Sequence, residues 1–210
     1  MFQRVIRGSY LMLLLITAPL TIAQEFSADV VNLKSDNAGL KKLYATKDKV
    51  RFEVENGDAR MGPSAVILDE TQNKYVVIMS ARRMYMDAPS MMARPLIDKY
   101  WRVEDVNDAC PAWKKMADQS NHAENWGSCT KIGSDTVNGR STVKYEGVSK
   151  KGDKAHIWVD TKLHCVIKTD QATGGGIELR NIQEGPQPAS LFEIPSGYTK
   201  FDMGAMMQRQ

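Results

Sequence analysis

Period-two alternation constrains this chain more than any other feature. In "KVRFEVEN", residues 49 to 56, Val50, Phe52 and Val54 fall on one side and Arg51, Glu53 and Glu55 on the other. Successive side chains of a strand point to opposite faces, so the pattern reads as a half-buried antiparallel strand. "FSADVVNL" and "LKKLYATK" precede it, and "SAVILDE" and "KYVVIMS" follow it. The separators "KSDNAG", "KD", "NGDARMGP" and "ETQN" carry turn chemistry. Five strands joined by short turns predict a meander.

Between about residues 87 and 127 the alternation stops, and a helical insertion is expected there. "SMMARPLIDKYWRVEDV" opens with a capping serine, Ser90, and Pro95 must break or start a helix. "DACPAWKKMADQ" offers Asp108 as a cap and Pro111 in the first turn of a short helix. Strands resume with "TKIGSDTV", and "GRSTVKYEGV" follows the hairpin signal Asn138-Gly139. "KAHIWVD" and "LHCVIKTD" predict a further hairpin across Thr161-Lys162. "IELRNIQEG" follows a bend at Gly174 to Gly176, and the chain closes with "LFEIPSGYTKFDMGAMMQRQ". The total is about ten strands and two or three short helices.

With Asp160 facing Leu163 in that hairpin, Trp158 would lie opposite Cys165 and His156 opposite Ile167. Ile157, Val159, His164 and Val166 would share the other face. A hairpin that is largely apolar on both faces must be covered twice, or present one face to an apolar ligand or partner.

The first residues bear on the compartment. "MFQRVIRGSYLMLLLITAPLTIA" sets Arg4 and Arg7 before an apolar run and ends in small residues, the order of a secretory signal peptide cleaved after Ala23. The run is shorter than the roughly 20 residues that span a bilayer. Residues 1–23 are therefore expected to be removed, leaving 24–210 as a single exported, periplasmic domain with no transmembrane segment. Loss of Arg4 and Arg7 lowers the formal net charge from +3 to +1, too little basic excess for a nucleic-acid partner. In an exported chain, three cysteines suggest one disulfide and one free thiol. Cys110 and Cys129 lie in a polar, irregular stretch and are the expected pair, closing a loop of about 20 residues worth on the order of 3 kcal/mol. Cys165, inside a strand-like run, is expected to be a buried thiol.

Catalytic chemistry is hard to assemble. His156 and His164 diverge in the expected register and cannot share a metal or a proton. Cys110, His122 and Cys129 have no usual zinc spacing. The three glycines lack the Lys-Ser/Thr of a phosphate loop, and no serine sits in a G-x-S-x-G elbow. The chain reads as no enzyme, with no cofactor and no metal.

Methionine is dense in "RMYMDAPSMMARP", where Met84, Met86, Met91 and Met92 crowd together. Clustered thioethers suit Cu(I), so a Met-rich copper-binding protein is one reading. Core filling and a deformable apolar surface are the others. No histidine or cysteine reinforces the cluster, and it lies where a strand enters the helical insertion, a natural rim for a groove.

"LYATKDKVRFEV", "SAVILDETQNKYVVI", "RMYMD", "IWVDTKLHCVIKTD" and "LFEIPSGY", in that order around a helical insertion, resemble the outer-membrane lipoprotein carrier (Lol-type) superfamily. Within it they are most similar to a branch of exported bacterial proteins. His156 to Asp170 and Leu191 to Met203 carry most of the likeness. The resemblance implies a mainly β (α+β) fold: a curved, incomplete antiparallel β-barrel of about ten to eleven strands, with short helices covering the concave face over an apolar cavity. It implies a non-enzymatic carrier for an acyl chain, a lipid or a lipoprotein. The best-known carriers have a distinctive arginine near the sheet–helix interface, for which Arg51 and Arg83 are the candidates here. The expected groove is lined by Val50, Phe52, Val54, Met84, Met86, Met91, Met92 and Trp158. An adaptor module contacting an envelope protein through the same apolar face is a third reading.

Overall fold

The computed structural model describes residues 25–34, 39–54, 64–87, 102–119, 123–172 and 174–201. The expected leader with its expected cleavage site, Ser90, Met91, Met92, Pro95 and His122 lie outside these residues.

Twelve strands are described: β1 (Phe26–Asn32), β2 (Leu40–Ala45), β3 (Lys49–Val54), β4 (Ser64–Asp69), β5 (Lys74–Met79), β6 (Met84–Asp87), β7 (Trp126–Val137), β8 (Arg140–Ser149), β9 (Lys154–Asp160), β10 (Val166–Gln171), β11 (Gly176–Glu184) and β12 (Thr199–Lys200). They form one sheet in the order β12-β6-β5-β4-β3-β2-β1-β11-β10-β9-β8-β7. The fold is mainly β, an open, incomplete barrel-like sheet; among the described residues one α-helix, α1 (Cys110–Gln119), lies on one face. The strands β1 to β6 form one meander and β7 to β11 a second, joined where β1 pairs with β11. The pairings are antiparallel except β12 with β6, which is parallel. The two-residue β12 is the strand that no alternation could reveal.

Asn138 and Gly139 both have positive φ, 49° and 76°, as a two-residue hairpin turn requires. The expected irregular stretch before Cys129 is instead the start of β7, which begins at Trp126 and carries two bulges. The described part of the insertion therefore ends with a single 3-10 turn, Ala123–Asn125.

The hairpin β9–β10 corrects the expected register. Val159 pairs with Val166, and Trp158 pairs with Lys168 rather than Cys165. Asp160 is the cause. Its carboxylate accepts the N–H groups of Lys162 and Leu163 at 2.9 and 2.8 Å, and Arg140 pairs with it. That closes a longer loop in which His164 takes φ 55°, and Ile167 becomes the extra residue of a bulge.

Three apolar clusters follow. Phe26, Val30, Leu43, Val50, Leu68, Ile167 and Leu179 belong to the central core. Trp113 of α1 packs with Val143, Tyr145, Val159 and Val166, its ring edge-on to Tyr145 at 5.1 Å. Ala109 stands at the cap position of α1 in place of Asp108. Its N–H donates to the buried Tyr145 hydroxyl at 3.2 Å, and that hydroxyl donates to the Val106 carbonyl at 2.8 Å. Phe192, with Leu191, Ile194 and Tyr198, covers Ala65, Ile67, Val76 and Ile78.

Candidate functional site

The outer strands β2 to β6 share one apolar face, and β4 and β5 are apolar on both; the register sorts the residues. Ala65, Ile67, Val76 and Ile78 lie under the C-terminal segment Leu191 to Tyr198. The alternate residues form two rows on the opposite face. Leu43, Phe52, Val66, Val77 and Met86 are consecutive cross-strand partners, and so are Leu40, Val54, Ser64, Met79 and Met84. Directly opposed strand residues interact side chain to side chain, so the first row is a continuous apolar stripe and the second is interrupted by Ser64 alone. Leu43 and Met79 are buried, whereas Leu40, Phe52, Val54, Val66, Val77, Met84 and Met86 remain half-buried. Val50, one pair further along β3 and opposite Ala45 and Leu68, is buried in the core.

This arrangement unites five of the eight expected groove residues: Val50, Phe52, Val54, Met84 and Met86. Trp158 stands outside these two rows, although it shares the central apolar cluster with Val50 and Leu43, against which Phe52 packs. It stands in β9, separated from β3 by β2, β1, β11 and β10. Its indole lies between the ammonium groups of Lys144 and Lys168, 4.8 and 5.2 Å from the ring centre. Its N–H donates to Asp135 at 2.8 Å, which is the main reason that the Asp135 carboxyl lies below its ordinary pKa. Sequence reasoning missed Leu40, Val66, Val77 and Met79. "SAVILDE" and "KYVVIMS" are apolar at both parities, so alternation cannot tell which residues join Phe52 until the register is known.

Both candidate arginines serve the C-terminal segment. Arg51 donates to the Leu191 carbonyl at 2.9 Å and pairs with Glu53 at 3.2 Å, on the face opposite Phe52. Arg83, in the left-handed conformation, accepts the Thr199 N–H at its carbonyl, and a side chain at Gly197 would collide with its guanidinium. Charged side chains also meet at the β6–β12 edge. There Lys200 lies 2.6 Å from Asp87, and this hydrogen bond lowers the Asp87 pKa. The rows themselves hold no titratable group and so can move no proton. What they offer is apolar surface, which gains about 25 cal/mol per Å² on leaving water.

Cys110 and Cys129 form the expected disulfide, with Cα atoms 5.6 Å apart, and Cys165 is the buried free thiol. Among the described residues no group of three or more His, Cys, Asp or Glu side chains is placed to hold a metal ion. No described helix is long and apolar enough to cross a membrane.

No protein-family model and no curated protein matches the chain. Among solved structures, the fold is similar to that of an uncharacterized conserved protein from Thermus thermophilus, with a TM-score of 0.52 and 10% identity, covering 86% of this chain and 91% of that one. Weaker likenesses are to PNGF-II (TM-score 0.47, 10% identity, 89% of this chain and 33% of that one) and to the lipoprotein LppX of Mycobacterium tuberculosis (TM-score 0.40, 11% identity, 79% and 89%). The first likeness shows a shared fold; the two weaker ones establish neither fold nor function.

Proposed function

We propose that the protein is an exported, non-enzymatic carrier that holds an apolar ligand (an acyl chain, a lipid or the acyl chains of a lipoprotein) against the rows of Phe52 and Met84. The observation that supports this is the apolar face that β2 to β6 share, opposite the one that the C-terminal segment covers. One face is closed by Leu191, Phe192, Ile194 and Tyr198, while the other keeps a half-buried, uncharged surface running across five strands. Methionine at the edge of that surface adapts to ligands of different shape. Met91 and Met92, which follow β6 closely in sequence, belong to the edge expected from the sequence and lie outside the described residues. The leader-like N-terminus and the 110–129 disulfide agree with an oxidising compartment such as the periplasm. The order of elements agrees with a Lol-type origin.

Mass spectrometry of organic extracts from the purified mature protein tests the proposal. Co-purifying acyl lipid at near-stoichiometric amount is expected. A protein free of lipid that also ignores a fluorescent fatty acid overturns it.

A second reading is kept alive by one pairing: Met79 lies directly opposite Met84, and Met86 shares their face. Three thioethers so placed could serve Cu(I). Competition against a Cu(I) chelator decides it. Sub-micromolar binding that is lost in a Met79→Leu, Met84→Leu, Met86→Leu triple variant supports copper, and equal binding by wild type and variant removes it.

A further inference from the structure

The 110–129 disulfide has a setting that the carrier proposal does not use. Cys110 is the first residue of α1, and Cys129 lies in β7, the strand at the open edge of the sheet. Both cysteines are half-buried rather than buried. Both line an open cleft of about 720 Å³ with Pro111, Lys114, Lys115 and Trp126, where Asp108, Asp118 and Gln119 complete the lining. Lys114 is held by Asp118 at 2.8 Å, which leaves Lys115 as the second cation of the lining.

We infer that this disulfide is a thiol–disulfide exchange site open to an external dithiol, with Cys129 the sulfur attacked and Cys110 the one that leaves. Exchange rates rise as the leaving thiol becomes a better thiolate. A thiolate at a helix N-terminus is stabilised by the helix dipole and by nearby cations, and Cys110 has that position, with Lys115 about one turn on, while Lys114 is paired with Asp118 and Asp108 lines the same cleft. At Cys129, among the described residues, no further strand pairs with the outer edge of β7.

One thiolate of the dithiol attacks Cys129 Sγ. The S–S bond breaks, its electron pair leaves with Cys110 Sγ, and a mixed disulfide forms. The second thiol of the dithiol, once deprotonated, attacks its own partner sulfur in that mixed disulfide and expels the Cys129 thiolate. The protein disulfide is reduced by two electrons, the dithiol is oxidised to its disulfide, and its two protons end on Cys110 and Cys129. Cys165 cannot interfere: it is buried and its thiol is pushed up to about 12, chiefly by desolvation.

The test exposes the native, oxidised protein to dithiothreitol without denaturant, then caps free thiols with a maleimide for mass spectrometry. Two caps, on Cys110 and Cys129 and none on Cys165, are expected, and glutathione in place of the dithiol should give a mixed disulfide on Cys129. In a Cys129→Ser variant, the pH midpoint for Cys110 alkylation should fall below the ordinary value of about 8.5. A bond that opens only in denaturant, together with capping of Cys165, overturns the proposal. So does a Cys110 midpoint at or above the ordinary value.

Discussion

Glu178 shows how single residues hold the sheet together. Burial raises the pKa of its carboxyl, but hydrogen bonds from Arg180, Asn138 and Lys168 outweigh that and hold it below its ordinary 4.5. A depressed carboxylate contributes stability that is full above its unfolded value and is lost as pH falls through the folded one. Wild-type unfolding free energy should therefore drop between about pH 5 and pH 3, and Glu178→Gln should flatten that drop while costing about 1–3 kcal/mol at neutral pH. Urea titrations at both ends of the range measure it. Asp160 is buried against Arg140, which also reaches Glu184 at 2.9 Å. Asp160→Ala removes one of the two carboxylates on that guanidinium and leaves two loop N–H groups without their acceptor, so a loss of about 1–3 kcal/mol is expected, read from the urea midpoint. The acid was visible in the sequence; its loop-closing role was not, because nothing local distinguishes it from a solvated Asp.

Elements were most legible where one face alone is apolar. The alternation of "KVRFEVEN" gives β3 and its faces directly, and Asn138-Gly139 gives the β7–β8 turn. The β9–β10 register was not legible, since the Asp160 loop and the Ile167 bulge depend on tertiary partners such as Arg140. The facing of β4 and β5 was hidden because both of their sides are apolar. Gly174 to Gly176 does make the bend, and Gly176 is the member under constraint: a Cβ there would lie 2.1 Å from the Thr169 carbonyl oxygen. Gly152 has φ +88° but open space around it. Gly176→Ala should thus destabilise the β10–β11 hairpin by clearly more than Gly152→Ala, whose backbone cost is about 1 kcal/mol. Thermal unfolding of both variants checks this, and equal losses would mean that β10 yields to the added methyl.

At the scale of the molecule, two meanders meet at β1 and β11, and each end carries a different cover. Leu191 to Tyr198 close one face of β2 to β6, and the face with Phe52 and Met86 is the one proposed to take ligand. Phe52 and Trp158 were both legible as apolar positions, but not that both meet the central cluster from strands far apart in the sheet: an apolar side chain announces burial, while its surroundings are set by the long-range pairing of strands. The most direct measurement is titration of a fluorescent fatty acid into the wild type, into Phe52→Asp and Met86→Asp, and into Ile132→Asp. Ile132 is the control because it is 55% exposed on the edge strand β7. Saturable binding by the wild type and by Ile132→Asp, weakened at least about tenfold in folded Phe52→Asp and Met86→Asp, is the predicted result; a buried charge without a partner costs more than the 1.4 kcal/mol that tenfold represents. Wild-type protein that does not bind, or binding that is undiminished when Phe52 and Met86 are charged, would contradict the carrier reading.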